Sequence, residues 1–158
     1  MRRERVMCRT GLSRASLAIV FLAAAAPALA GLGESTGLIA RDATRLGAGA
    51  PVRTPLQGYE RHAIVARSGT QVREYASATG TVFAVAFEGR TVPDLKLLLG
   101  TRHDAYVRAL HPGPSTHKVN TVTTPDVVVT IVKLPRGFVG TAHAPGLVPA
   151  GVDVRTLR

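Results

Sequence analysis

The sequence predicts an α+β fold: antiparallel β-meanders of about six strands with two short helices packed on the sheet, in the order βββ-αα-βββ. Three observations predict it. Short β-rich runs joined by tight-turn residues fill residues 59–89. Two helix start-and-stop signals follow back to back between Thr91 and Gly113. Further β-branched runs fill residues 117–144, with the strongest at Val127 to Leu134, VVVTIVKL.

The first 30 residues stand outside that fold. Arg2, Arg3, Arg5, Arg9 and Arg14 form a positive start, followed by the apolar LAIVFLAAAAPALA ending in Ala28-Leu29-Ala30. This is the pattern of a secretory signal peptide, with cleavage expected between Ala30 and Gly31. The apolar stretch is shorter than the roughly 20 residues a membrane span needs. The rest of a twin-arginine motif is missing, so the general secretory route is expected. The mature protein is expected in the periplasm or outside the cell, with no membrane span after signal removal. The only cysteine, Cys8, falls inside the signal. A mature chain without cysteine has no disulfide, thiol nucleophile or thiolate metal site.

Removing 30 of the 158 residues leaves 128, enough for one domain with a core. Five basic residues and one acidic residue leave with the signal, so the formal charge falls from +10 to +6. That excess favours an anionic partner.

Within the mature chain, residues 31–58 read as an N-terminal helix (Glu34 to Leu46, weakened by Gly37) and a partly flexible linker rich in glycine and proline. Residues 59–158 read as a single α+β domain. Tyr59 to Ala66 is the first strand, and Ser68-Gly69 turns it into Thr70 to Ala76. Ser77 to Gly80 fits a type I turn closed by a left-handed glycine. The apolar run Thr81 to Phe87 has two apolar faces, so it is expected at the centre of the sheet, covered on both sides. Strict alternation puts Phe83, Val85 and Phe87 on one face and Val82, Ala84 and Ala86 on the other. The turn sets Tyr75 opposite Phe83, which places Glu74 on the alanine face near a sheet margin, paired with an arginine.

Thr91 caps the first helix of the pair, Pro93 sits in its first turn and Gly100 stops it. Thr101 caps the second, with Asp104 three residues on. His117 to Thr124, Val127 to Leu134 and Phe138 to Ala144 are the later strands, and Leu147 to Leu157 adds a short edge strand.

These pieces resemble a known family. VREYASATGTVFAVAFEG (72–89), PDLKLLLG (93–100) and RGFVGTAHAPGLVPAGVDVRTLR (136–158) are together similar to an exported bacterial family catalogued as domain of unknown function 2844. Phe87 stands where that family's pattern has tryptophan, a conservative change in packing. The resemblance implies secretion and a compact domain. The family carries no established activity, so no catalytic residue is implied.

The chemistry-bearing residues form no recognisable constellation. The five histidines lack metal-ligand spacing, although His111 and His117 flank one proline-rich loop. No serine lies in a GxSxG elbow, and no glycine-rich phosphate loop follows a strand. Most aromatics fit core positions, which argues against a nucleic-acid stacking platform. No catalytic residue, metal ligand or cofactor is therefore assigned. The expected function is a non-enzymatic binding or interaction module of the cell envelope, whose partner is an anionic envelope component or another exported protein. Arg73, Tyr75, Arg90 and Arg136 are the candidate contact residues, expected to face outward from strands or turns. The alternatives are a small hydrolase or metal-binding enzyme using Glu74 or the His111–His117 loop, and an inhibitor that adds a strand edge to its target.

Overall fold

The computed structural model describes residues 31–110 and 118–157. The signal segment and the His111–His117 loop lie outside the described residues. The centre is one seven-stranded antiparallel sheet in the order β1-β2-β3-β4-β7-β6-β5. Its strands are β1 (Val52–Leu56), β2 (Tyr59–Val65), β3 (Gln71–Ser77), β4 (Val82–Gly89), β5 (Val119–Thr123), β6 (Val128–Leu134) and β7 (Gly137–His143). Short helices α1 (Ile39–Arg45), α2 (Leu95–Leu99) and α3 (His103–Ala109) complete the α+β architecture.

β4 is the fourth strand of seven, and its residues Val82 to Phe87 are all buried. One face of the sheet buries Ile64, Val72, Val85, Phe87, Val129 and Ala142 against Ile39 and Ala43 of α1, Leu98 and Leu99 of α2, and Tyr106 of α3. The other face buries Tyr75, Phe83, Ala84 and Ala86 beneath Leu147, Val148, Val152, Val154 and Leu157 of the C-terminal tail. The layers are thus helices, sheet and tail. Gly140 of β7 lies opposite Phe87, and a Cβ there would overlap the phenyl ring.

The structure differs from the sequence reading in several places. Four strands precede the helix pair, not three. β1 occupies residues expected to be linker, because Gly58 (φ 83°) turns the chain back and Arg53 pairs with Glu60 across the hairpin. Pro55 is tolerated because β1 is an edge strand. The tail forms two 3-10 turns, Pro145–Leu147 and Val154–Thr156, in place of an edge strand. Proline and glycine interrupt it, and its apolar residues lie flat on the sheet. The first helix begins as a 3-10 turn at Thr36–Leu38 and becomes α-helical only past Gly37.

The helix starts also move. Asp94, not Thr91, caps α2, accepting from the amides of Lys96 at 2.9 Å and Leu97 at 3.3 Å. Thr101 falls inside a 3-10 turn, Gly100–Arg102, that runs into α3 without a side-chain cap.

The largest correction concerns register. Gly80 closes the β3–β4 turn with φ 80°, as its position requires, but a bulge follows. Tyr75 pairs with Ala84 while Ala76 pairs with Val82, so Phe83 is an extra residue on β4. Phe83 and Ala84 both pack on the tail side, and Val82, Val85 and Phe87 on the helix side. A one-residue shift changes the face a side chain joins. Glu74 therefore lies opposite Val85, on the helix side.

Candidate functional site

Two groups of polar residues stand out, one exposed and one partly buried. The exposed group forms where the β2–β3 turn and the β6–β7 turn meet at one end of the sheet, beside the last residues of β4. A depression of about 510 Å³ lies there, bordered by Arg90, Arg136, Glu88, Leu134 and Phe138 among others. Arg90 leaves the end of β4 and Arg136 sits in the turn after β6, so two segments distant in sequence bring their guanidinium groups to one hollow. Both arginines are exposed, and neither has an ion-pair partner among the described residues.

More cations share this end of the sheet. Arg67 precedes the β2–β3 turn. Lys118 precedes β5, and its carbonyl accepts from the amide of Lys133 near the end of β6. All three are exposed and outside any ion pair among the described residues. Glu88 is the carboxylate lining the depression. The next along the chain, Asp94, already caps α2. Guanidinium and ammonium groups held this way attract carboxylate, phosphate or sulfate groups, arginine by bidentate hydrogen bonding.

The other two candidate contacts do not join this hollow. Tyr75 is 3% exposed and belongs to the core under the tail, which corrects its expected outward position. The tail folds over the strand that the sequence leaves uncovered. Arg73 is half-buried and donates to the side chain of Gln71 at 2.8 Å.

The second group runs across the helix side of the sheet, from the exposed Arg53 to the buried Glu74. Arg53 of β1 donates to Glu60 of β2 at 2.6 Å, and the other oxygen of Glu60 lies 2.8 Å from Nε2 of His62. The His62 hydrogen bond, followed by that of Arg53, holds the Glu60 carboxyl below its ordinary range despite partial burial. His62 is directly opposite Glu74 in the β2–β3 ladder, so the two side chains share a face. Glu74 is 0% exposed, and neither of its carboxylate oxygens has a hydrogen-bond partner among the described residues. Burial first, and the nearby buried Asp42 carboxylate of α1 second, push its pKa up to about 8. Among the described residues no arginine pairs with Glu74: it shares the helix-facing side of β3 with Val72 and Ala76, and the bulge on β4 puts Val85 opposite it.

Among the described residues, no group of three or more His, Cys, Asp or Glu side chains is placed to hold a metal ion. His111 and His117 lie outside the described residues, as does Ala30 of the expected cleavage site. Gly31 is buried, and a Cβ there would overlap the Gly100 backbone. Among the described residues, no helix is long and apolar enough to cross a membrane.

A family model described as "Protein of unknown function (DUF2844)" matches residues 28–157. The chain belongs to this family. No curated protein and no solved structure matches the chain. The match spans nearly all of the chain beyond the leader pattern, and the family's description names no reaction.

Sequence reasoning singled out Arg90 and Arg136 but missed Arg67, Lys118 and Lys133. Those five are scattered over some seventy residues, and only the hairpin registers gather them. It also missed the Arg53–Glu60–His62 line, because β1 read as linker. The one available signal was Glu60 and His62 two apart in a strand, on one face.

Proposed function

We infer that the protein is an exported, non-enzymatic binding module of the cell envelope that holds an anionic partner at the basic end of its sheet. The observation that carries this reading is that Arg90 and Arg136 border one hollow, both exposed and neither in an ion pair among the described residues. Arg67, Lys118 and Lys133 add charge of the same sign nearby. Export is supported by the leader pattern of residues 1–30 and the exported character of the family the sequence resembles.

A hydrolytic reading through Glu74 meets a side chain sealed from solvent. A strand-addition reading has one observation in its favour: β5 is an edge strand with four of its five residues exposed and no proline. It remains the second choice.

The test is retention on an immobilised soluble polyanion such as heparin. The wild-type protein should be retained at low salt and elute as salt rises. Arg90→Glu with Arg136→Glu should elute much earlier, while Arg108→Glu, an exposed residue of α3 outside that hollow, should elute closer to wild type. Equal elution of the double variant and wild type would sink the assignment of these two arginines.

A further inference from the structure

We propose that the basic end of the sheet docks on an anionic lipid surface, with exposed aliphatic side chains entering the headgroup region beside Arg90 and Arg136. This rests on the anionic-partner reading above and names the partner.

The strand registers show why. Val65 pairs with Gln71, Gln71 with Glu88, Glu88 with Val139, Val139 with Val132, and Val132 with Val119. Directly paired residues project to the same side of a sheet. These six side chains therefore form one row across six strands, along the basic end, on the tail side of the sheet. Four of the six are valine. Val65 is 64% exposed and Val119 is 52% exposed, and Leu134, beside Arg136 at the tip of the β6–β7 hairpin, is 43% exposed. The tail does not reach this row; it packs on Tyr75, Phe83, Ala84 and Ala86, closer to the opposite end.

Aliphatic side chains of this size gain from leaving water, and here Leu134 borders the same hollow as Arg90 and Arg136. Lys133, paired with Phe138, projects to the helix side of the same end, and Arg67 lies against the end of α1 there, so these cations flank the row from the other face. A soluble polyanion engages the cations and leaves the valines and Leu134 in water. An anionic bilayer engages both: phosphates meet the guanidinium and ammonium groups, and the aliphatic tips reach the acyl boundary. No helix among the described residues is long and apolar enough to cross a membrane, and the contact proposed is with the surface. Glu88 is the one carboxylate in the row, and the flanking cations outnumber it.

The experiment compares vesicles of phosphatidylcholine alone with vesicles that also contain phosphatidylglycerol. The purified protein should sediment with the anionic vesicles at low salt and stay in solution with the neutral ones. Each cation replaced should weaken partition roughly fivefold. Val119→Ser with Leu134→Ser should weaken it by about tenfold or more while leaving heparin retention unchanged. The chain contains no tryptophan, so Leu134→Trp is a lone reporter whose emission should shift to the blue on anionic vesicles. Thermal unfolding of each variant checks that it is folded, and Leu134→Trp gives a readout if the serine pair is not. Heparin retention without vesicle binding overturns the lipid surface and leaves the anionic-partner reading standing. Vesicle binding that ignores the serine pair, with no shift of the Leu134→Trp emission, also overturns it. Loss of both heparin and vesicle binding overturns the anionic-partner reading itself.

Discussion

Glu74 sets an unusual condition on the stability of this domain. Its pKa stands at about 8 in the folded chain against an ordinary value of 4.5, because burial and the Asp42 carboxylate both oppose ionisation. The folded state therefore holds a proton that the unfolded chain releases above 4.5. The stability this contributes is fully present below 4.5 and is lost as pH rises towards 8. Within that window the linkage slope is about 1.4 kcal/mol per pH unit, and above it the contribution is flat. Glu74→Gln removes the titrating group and keeps the shape. Urea midpoints measured from pH 5 to pH 8 should fall for wild type and stay much flatter for the variant. Equal slopes in both proteins would show that Glu74 does not titrate as its burial dictates. The same comparison bears on catalysis: a carboxyl held protonated by burial is a structural constraint on α1 and β3 unless a substrate can reach it.

At the scale of elements, the helix pair shows how a correct reading can rest on the wrong atoms. The run Thr91-Val92-Pro93-Asp94 marks a helix start, and a helix starts there, but Asp94 provides the cap. Pro93 explains the shift: the residue before a proline is pushed towards extended backbone, so Val92 does not belong to the first turn. Asp94→Ala should cost about 1 kcal/mol, typical for loss of a side-chain cap, whereas Thr91→Ala should leave helix capping intact. Chemical denaturation of both variants separates the two; a larger loss for Thr91→Ala would reverse the assignment. Other elements were legible because their signals are local. β6 announces itself by five β-branched residues among seven, and β4 by two apolar faces. The bulge at Phe83 was not legible, since nothing in ATGTVFAV says which residue goes unpaired; that is decided by how Phe83 packs under the tail with Tyr59 and Tyr75. β1 was not legible either, because Pro55 argues against a strand until the edge position is known. For the same reason the sequence could nominate Arg90 and Arg136 separately but could not place them on one hollow.

The whole molecule is closed by its two ends acting on opposite faces of the sheet. The tail seals the Tyr75–Phe83 side. The residues that would follow the proposed cleavage at Ala30 stitch the helix layer to the β3–β4 turn. Leu32 is 0% exposed and donates its amide to Leu98 at the end of α2, and its carbonyl accepts from Arg102. Gly33 donates to Val82, Val82 donates back to Glu34, and Thr36 donates to Gly80. A chain beginning at Gly31 keeps all of these bonds, and the close approach of Gly31 to Gly100 excludes any side chain at that position. A chain beginning at Gly37 loses the burial of Leu32, worth about 2 kcal/mol, and the four backbone hydrogen bonds to α2 and the β3–β4 hairpin, worth roughly 1 kcal/mol each. Against a total stability of roughly 5–15 kcal/mol, that is enough to leave the shorter chain marginal. Urea unfolding of the two chains at equal pH should give a much lower midpoint, or no cooperative transition, for the one that starts at Gly37. Intact mass of the protein recovered from an exporting host should correspond to a first residue of Gly31. Equal midpoints would mean that residues 31–36 lie on the domain without holding it. A mass corresponding to cleavage beyond Leu32 would contradict the exported form proposed here, since the processed protein would then lack a core residue.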